Sequence, residues 1–216
     1  MAKLTIPVYM KRYIAIIGDL EASKELDKAT RHKTQIVLEE LFTEKRFSSE
    51  GVVSPYTLTL GDEFQALYED AGNLFHHIWI VTAAIHPVKI RWAAGTGEID
   101  TPVNKKRSLG MDGPAFHKAR NGIEILKKEK QLFRVETGEK LFDTLANSSL
   151  KLLTADLRTW KKNRFLILER LCSGMEVRQI AAELRLSDVA VYKNIHAGNL
   201  DAVIEYTEGL ANLLNQ

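Results

Sequence analysis

The sequence has a single cysteine, Cys172, among its 216 residues. A disulfide bond within the chain is therefore impossible, and so low a cysteine content favours a reducing compartment. A structural zinc site built on cysteines is excluded as well, because such sites use several cysteine ligands.

Long apolar runs are also missing. Residues 1–7 lack the apolar core of a signal peptide, and no run reaches the ~18 apolar residues of a membrane-spanning helix. We therefore expect a cytoplasmic protein that has no membrane partner.

Neither sign of charge dominates. The chain has 30 Lys and Arg residues and 28 Asp and Glu residues, which gives a formal net charge of +2. This balance argues against a chain that binds polyanions over its whole surface, but it allows a local basic face. The length suffices for one large domain or for a medium domain plus a small one.

Up to residue 147 the sequence alternates between strand and helix patterns. Strands are predicted over 13–18, 52–60, 64–68, 88–94 and 131–136, and residues 3–10 are a candidate edge strand. Helices are predicted up to about residue 45, over 71–85, from residue 114 onwards and over 138–145. This order predicts an α/β or α+β sheet domain that carries a hairpin in its middle.

Two of the predicted strands are followed by a Gly-Asp pair, which places Asp19 and Asp62 at strand ends. Two carboxylates on adjacent strands can share a hard divalent cation, because Mg²⁺ prefers oxygen ligands. The candidate ligands for Mg²⁺ or Mn²⁺ are Asp19, Asp62 and Glu63. Asp is also common in turns, where its side chain bonds the backbone, and Glu63 can equally point to solvent.

From residue 148 the pattern becomes all helical, with helices predicted over 152–160, 163–173, 176–184, 188–196 and 200–214. We therefore predict two domains, residues 1–147 and residues 148–216. The stripe of apolar residues on the last helix must be buried, either by a second copy in a homodimer or by its own module; it consists of Leu200, Val203, Ile204, Ala211 and Leu214.

The spacing of Ile180, Ala181, Leu184, Leu186 and Val191 is typical of a helix-turn-helix. It resembles the DNA-binding segments of response regulators and sigma factors. Residues 157–195 hold eight Lys or Arg and four Asp or Glu, so basic side chains are available for phosphates. The candidate DNA-binding residues are Arg178, Arg185, Ser187, Asp188, Tyr192, Lys193 and Asn194. A protein–protein module can use the same packing.

Residues 12–137 resemble the class III nucleotidyl cyclases and the related diguanylate cyclases. The likeness rests on Asp19, on Leu-Gly-Asp at 60–62, on Arg91 followed by Thr-Gly-Glu at 96–98, and on the segment 113–120. It implies a ferredoxin-like α+β fold with a mixed sheet, followed here by the all-α helix-turn-helix domain. It also implies two metal ions that hold a nucleoside triphosphate.

The sequence departs from the cyclase pattern at three positions. Leu58 stands where cyclases have a purine-reading lysine, His117 replaces an asparagine, and Asn121 replaces the transition-state arginine. Arg120 lies one position early, which turns it by about 100° on a helix. These losses argue against an ordinary cyclase, because cyclisation needs preorganised positive charge on the phosphates.

Retention of both aspartates still allows phosphate binding. Ser23, four residues after Asp19, is placed to cap the next helix, either as a plain cap or with a phosphate at the helix N-terminus. The candidate nucleotide- or phosphate-binding residues are Gly18, Leu20, Ser23, Gly61, His117 and Arg120.

The whole chain resembles the SatD family of small bacterial proteins. The resemblance rests on Gly-Asp-x-x-x-Ser at 18–23, Gly-Asp-Glu-Phe at 61–64 and Gly-Pro-Ala-Phe-His-x-Ala-Arg at 113–120.

Two functions follow from these patterns. In the first, a DNA-binding transcription regulator senses a nucleotide or phosphorylated metabolite with a divalent metal. In the second, a metal-dependent enzyme of nucleotide phosphoryl chemistry uses its C-terminal helices for recruitment or dimerisation. We favour the first, because cyclase positions are lost while the helix-turn-helix pattern is complete.

Overall fold

A computed structural model of the protein describes residues 11–59 and 61–216. The candidate edge strand at residues 3–10 lies outside the described residues, as does Leu60, which we predicted at the end of a hairpin strand.

The described residues form a mixed α/β structure with five strands and eight α-helices, and a short 3-10 helix over Lys45–Ser48. In chain order the elements are β1 (Tyr13–Leu20), α1 (Lys28–Phe42), β2 (Val52–Leu58), β3 (Glu63–Tyr68), α2 (Leu74–Ile85), β4 (Ile90–Gly97), α3 (Pro114–Glu129), β5 (Phe133–Glu136), α4 (Lys140–Leu157), α5 (Lys162–Cys172), α6 (Val177–Leu184), α7 (Asp188–Ala197) and α8 (Leu200–Leu214). None of the helices in the described ranges combines the length and apolarity that a bilayer span requires.

The five strands form one sheet in the order β2-β3-β1-β4-β5. The central strand β1 is antiparallel to both β3 and β4, whereas β4 and β5 are parallel. The predicted hairpin is present, since β2 and β3 pair antiparallel on either side of the turn that contains Gly61 and Asp62. Because β1 is paired on both sides, it is a central strand of the sheet. Its residues from Ile14 to Leu20 are all buried, in agreement with the apolar run that predicted a buried strand.

The side chains of β1 alternate between two apolar clusters. Ile14 and Ile16 join the larger cluster on one face of the sheet, and Ala15 and Ile17 pack with residues of α3 on the other face. By the same alternation Asp19 lies on the α3 face. Helix α3 approaches closely because Gly95 has no side chain; a Cβ there would lie 2.3 Å from the carbonyl oxygen of Ala115.

Helix α4 runs unbroken over Lys140–Leu157, where the sequence predicted separate helices over 138–145 and 152–160. That prediction was wrong because the residues between the two segments continue the helix, with the polar Ser148 and Ser149 on its exposed side. The opposite side is continuous, with Ala146, Leu150 and Leu157 buried. The division into residues 1–147 and 148–216 stays a prediction, and its boundary lies inside α4.

The apolar stripe of α8 packs within its own chain. Of the predicted stripe, Leu200, Val203, Ala211 and Leu214 are buried in the same cluster as the sheet residues Ile14 and Ile16, and Ile204 is half-buried against it. The C-terminal end of α8 is attached to the start of α2, because the amide of Ala71 donates to Asn215 Oδ1 at 2.7 Å. The surface that we predicted for a homodimer is therefore covered by the chain itself.

Candidate functional site

The predicted carboxylate site begins with a row of three charged residues across the sheet. In β1, Asp19 is in register with Glu63 of β3 on one side and with Arg91 of β4 on the other. Asp19 is only 6% exposed. The guanidinium of Arg91 donates to Asp19 Oδ2 at 2.9 Å, and the ammonium of Lys127 on α3 lies 3.2 Å from Asp19 Oδ1. Each oxygen of this buried carboxylate is thus already paired with a cation.

A second carboxylate extends the network towards α4. Arg91 Nη2 lies 3.4 Å from Glu21 Oε1, and Arg158 donates to both oxygens of Glu21 at 2.9 and 2.8 Å. Arg158, which directly follows α4, also donates to the carbonyl oxygen of Lys130 at 2.8 Å. Arg91 and Arg158 therefore connect the end of β1 to the C-terminal end of α4.

The charges of this network stabilise one another. The hydrogen bonds from Arg158 lower the pKa of Glu21, and the same bonds raise the pKa of Arg158. Burial disfavours the charged form of Lys127, but the carboxylates of Asp19 and Glu124 together outweigh this effect and raise the pKa of Lys127 overall.

Asp62 lies at the hairpin turn, next to the end of β1. Its carbonyl oxygen accepts from the amide of Leu20 at 2.9 Å, and its carboxylate accepts a hydrogen bond from the hydroxyl of Ser23. Arg31 of α1 donates through Nε to the carbonyl oxygen of Ser23 at 3.0 Å. The loop after β1 is thereby attached both to the hairpin and to α1.

Ser23 does not cap the following helix, contrary to one of our expectations. Residues 21–26 form turns, with Ala22 in the left-handed region at φ 54°, so the helix begins only at Lys28. Its cap is Asp27, whose Oδ1 accepts from the amide of Thr30 at 2.9 Å.

Three further candidate phosphate-binding residues have clear structural surroundings. A Cβ on Gly18 would lie 2.3 Å from Cζ of Phe64, so Gly18 leaves room for that buried ring. Leu20 is a core residue. Gly61 is exposed at φ 66° in the hairpin turn, a conformation that glycine adopts at low cost.

The remaining two candidates, His117 and Arg120, lie away from Asp19. Helix α3 runs antiparallel to β4, since Gly97 approaches Ala115 and the next turns of α3 follow towards Arg91. Lys127 is the α3 residue that reaches Asp19, and His117 precedes it by ten residues, or about 15 Å of helix. His117 Nε2 instead lies 2.8 Å from Asp112 Oδ1, and Arg120 is exposed. The structure therefore does not bring these two residues to the carboxylates.

The predicted metal ligands lie near one another, but their arrangement does not suit Mg²⁺. No group of three or more His, Cys, Asp or Glu side chains that could hold a metal occurs within residues 11–59 and 61–216. Both oxygens of Asp19 are occupied by cations, and Glu63 Oε1 lies 3.3 Å from the hydroxyl of Thr59. A cation could bind Asp19 only after Lys127 or Arg91 had moved away.

Of the five residues whose spacing is typical of a helix-turn-helix, Ile180, Ala181 and Val191 are buried. Leu184 and Leu186 are half-buried and pack against the same core cluster, and Ile195 of α7 is buried as well. The connection between α6 and α7 is a three-residue turn that starts with Arg185 in the left-handed region at φ 54°. The amide of Leu186 donates to the carbonyl oxygen of Ala181 at 2.9 Å.

Ser187 caps α7, as its position predicted, because its hydroxyl accepts from the amide of Ala190 at 3.1 Å. Asp188 follows in the first turn, where its charge is favourable to the helix dipole. Asn194 differs from our expectation of an exposed side chain. It is half-buried, and its amide donates to the carbonyl oxygen of Ala190 at 2.9 Å.

The outer face of α7 presents large side chains to solvent. Val189 is 75% exposed and Tyr192 51% exposed, and Lys193 is exposed beside them. The ring of His196 lies one turn beyond Tyr192, with ring centroids 6.4 Å apart and planes at 19°. We did not select His196, although its i+4 spacing from Tyr192 places it on the same face.

The basic residues of this segment fall into two groups. Arg158 and Arg170 are engaged in ion pairs, Arg158 with Glu21 and Arg170 with Glu183 at 2.6 Å. The other group forms no ion pair with any residue of the described chain; it consists of Lys161, Lys162, Arg164, Arg178, Arg185 and Lys193. Two of the predicted phosphate contacts, Arg178 and Arg185, are exposed in this second group.

Sequence reasoning missed the cations that surround Asp19. Arg91 stands between Ile90 and Trp92, which are both buried, and a charged residue inside a buried strand needs a partner. The position of Arg91 in a buried strand could therefore have predicted an anionic partner. The residues around Lys127 and Arg158 in the sequence contain no pattern that predicts their contacts with Asp19 and Glu21.

No curated protein matches this chain. A model of the SatD family matches residues 13–213, which include β1 and almost all of α8. On this match over nearly the full length, the chain belongs to the SatD family.

Proposed function

We propose that this protein is a DNA-binding transcription regulator that reads DNA with α7, and that its sheet region senses a nucleotide or phosphorylated ligand. The observation that carries the proposal is the two-sided character of α7. One side is anchored by buried Val191 and Ile195, and the other leaves Val189, Tyr192 and Lys193 in water.

The dimensions of α7 suit a recognition helix. Its ten residues are about 15 Å long, and the major groove of B-DNA is about 12 Å wide and admits one α-helix. In this docking Arg178, Arg185 and Ser187 lie at the ends of the helix pair, where they would contact phosphates. Asp188 faces the first base pairs as an acceptor.

Base recognition then falls mainly to two side chains. Val189 and Tyr192 offer apolar contact to thymine methyl groups, and the Tyr192 hydroxyl adds a hydrogen bond. Asn194, which the sequence selected, bonds within its own helix in the described structure. It would have to turn outwards to reach a base.

DNA binding is tested with fragments of the genome from which the protein comes, at several salt concentrations. Lys193→Ala should weaken binding to all fragments and reduce the slope of log K against log salt by about one unit. Tyr192→Ala should change the preference among fragments. The matched control is Lys33→Ala, because Lys33 is an exposed lysine on α1. For this variant the slope of log K against log salt should equal that of the wild-type protein. If the wild-type protein retards no genomic fragment at low salt, the regulator proposal is wrong.

The sensor half of the proposal is supported by the cations at Asp19. An anionic ligand that took the place of the Asp19 carboxylate would find Arg91 and Lys127 already positioned, and phosphate oxygens bind such cations well. Mg²⁺ or Mn²⁺ stays a prediction of the sequence for this ligand, since the present arrangement leaves it no free oxygen on Asp19.

Calorimetry tests the sensor. ATP, GTP and inorganic phosphate are titrated with and without Mg²⁺ into the wild-type protein and into Lys127→Met. We expect binding of at least one phosphate compound to the wild type and weaker binding to the variant. The control is Lys128→Met, which removes the adjacent exposed lysine of α3. If none of these compounds binds the wild type, the sensor half is refuted, while the DNA test remains independent.

The alternative enzyme function gains no support from these contacts. A metal-dependent phosphoryl-transfer site needs carboxylate oxygens that are free for the ion, and those of Asp19 are paired with cations.

A further inference from the structure

Helix α4 has two apolar faces, and only one of them is covered. The covered face contains Ala146, Leu150 and Leu157, which are buried in the core. On the other face Leu141 is 75% exposed, Leu145 62% and Leu152 77%. Large apolar side chains grouped on one surface mark an interaction site, in contrast to isolated ones, which are normal.

The exposed face follows the spacing of a two-helix seam. Five uncharged, exposed positions along this face recur at intervals of four, three, four and three residues; they are Leu141, Leu145, Ser148, Leu152 and Ala155. This alternation is the 3.5-residue repeat with which one helix packs along another. The face is therefore shaped to be covered by a helix.

A groove extends this face towards α8. It has a volume of about 480 Å³ and lies between the two helices, with Leu145 and Phe142 on the α4 side and Leu210 and Leu213 on the α8 side. Glu205 is its only charged lining residue. Leu213 is itself 49% exposed, so it adds to the uncovered apolar surface.

We propose that α4 of a second copy covers this face, and that the two α4 helices pack antiparallel about a two-fold axis near residue 147. In that arrangement Leu141 of one copy opposes Leu152 of the other, and Leu145 opposes Ser148. Next to the axis the large Leu145 then meets the small Ser148, and further out the two leucines pack against each other. A parallel arrangement would place Ser148 against Ser148 and leave a gap beside the axis.

Charge and size agree with a self-associating surface. The seam positions carry no charge, so two identical copies approach without repulsion. Helix α4 has 18 residues and is about 27 Å long, and α4 with the adjacent groove is about 20 Å wide. The resulting footprint, on the order of 500 Å² per copy, is close to the lower limit of about 600 Å² per partner in specific complexes.

This interface rests on α4 and α8 alone and holds whether or not α7 binds DNA. It also replaces the dimer surface that the sequence suggested, because the α8 stripe is buried within the chain. If α7 does read DNA, the same axis relates two copies of α7, and the operator is two-fold symmetric.

Sedimentation equilibrium without DNA tests the proposal. The wild-type chain should show twice its mass of 24.4 kDa at micromolar concentration. Leu145→Asp and Leu152→Asp should each weaken dimerisation on the order of 100-fold, because every dimer loses the apolar side chain twice and buries two carboxylates in its place. Circular dichroism verifies that the variants are folded.

The matched control is Ile36→Asp, which places the same charge at an exposed apolar position on α1. It should leave the dimer intact. A wild-type chain that stays monomeric up to about 100 µM overturns the proposal. So does a dimer that both aspartate variants leave unchanged, because its interface would then lie elsewhere.

The orientation is measured with spin labels at Ala155→Cys in a Cys172→Ser background. The antiparallel arrangement separates the two copies of residue 155 by 17 residues of helix, or about 25 Å along the axis. Labels within about 10 Å of each other, the interaxial distance of packed helices, would demonstrate a parallel pair and overturn the arrangement.

Discussion

Asp19→Asn is the substitution that best distinguishes the two interpretations of the carboxylate site. If Asp19 is one half of a buried ion pair, its loss leaves Arg91 without its nearest anion. If Asp19 is instead held in place for a metal beside Glu63, its charge is unfavourable in the metal-free protein. The first interpretation predicts a loss of stability, and the second predicts no loss or a gain.

The contacts of Asp19 determine the magnitude. Removing one partner of a buried ion pair costs about 3–5 kcal/mol. Two contacts reduce this figure here, because Arg91 keeps Glu21 at 3.4 Å and Lys127 is exposed enough to turn towards solvent. We expect a decrease of about 2–3 kcal/mol in the free energy of unfolding, a large part of the ~5–15 kcal/mol of a typical domain.

Urea denaturation measures the effect as a shift of the unfolding midpoint. At a slope of ~2–3 kcal/mol/M the midpoint should fall by about 1 M. The control is Glu124→Gln, because the exposed carboxylate of Glu124 also contacts Lys127, at 3.4 Å. This substitution should change the free energy of unfolding by less than about 0.5 kcal/mol.

Asp19→Asn combined with Arg91→Met should recover part of the loss, because the unpaired cation is then gone. An unchanged or higher midpoint for Asp19→Asn alone would refute the ion-pair interpretation.

Two further predictions concern stability. His77 is buried against Tyr68, and burial lowers its pKa to about 4 from 6.5, so the unfolded chain binds the proton first as the pH falls. Stability should therefore decrease between pH 6.5 and 4, by about 2 kcal/mol from pH 7 to pH 5. His77→Gln should lack this part of the pH dependence in urea titrations, and equal pH slopes for the two proteins would contradict it. Gly95→Ala should destabilise the chain by about 1–3 kcal/mol, because the added Cβ meets the backbone of α3 at 2.3 Å. Gly209→Ala in α8 has nothing within 4 Å and should stabilise it by about 0.5–1 kcal/mol in the same assay; the opposite order of the two glycine variants would contradict the packing of α3 on β4.

The sequence predicted those features that depend on neighbours along the chain. The hairpin around Gly61 and Asp62 follows from turn residues between apolar runs, and the cap of α7 follows from Ser187 before an apolar repeat. It also predicted two consecutive helices separated by three residues, α6 and α7, with Ile180, Ala181 and Val191 on their buried sides.

The candidate site around Asp19 was predicted only in part. The strand-end position of Asp19 could be deduced from its own segment. Arg91, however, lies 72 residues from Asp19 along the chain, and Arg158 lies 137 residues from Glu21. Which cation reaches which carboxylate depends on the strand order and on how α3 and α4 pack, and no local pattern contains that information.

The sequence by itself determined that the apolar residues of α8 need cover, since they recur at helical spacing. Only the tertiary structure decided what covers them. The stripe of α8 packs onto the core of its own chain, and one face of α4 is left exposed. The physical reason is that the hydrophobic effect is non-directional: it requires that apolar surface leave water, but it does not specify the partner.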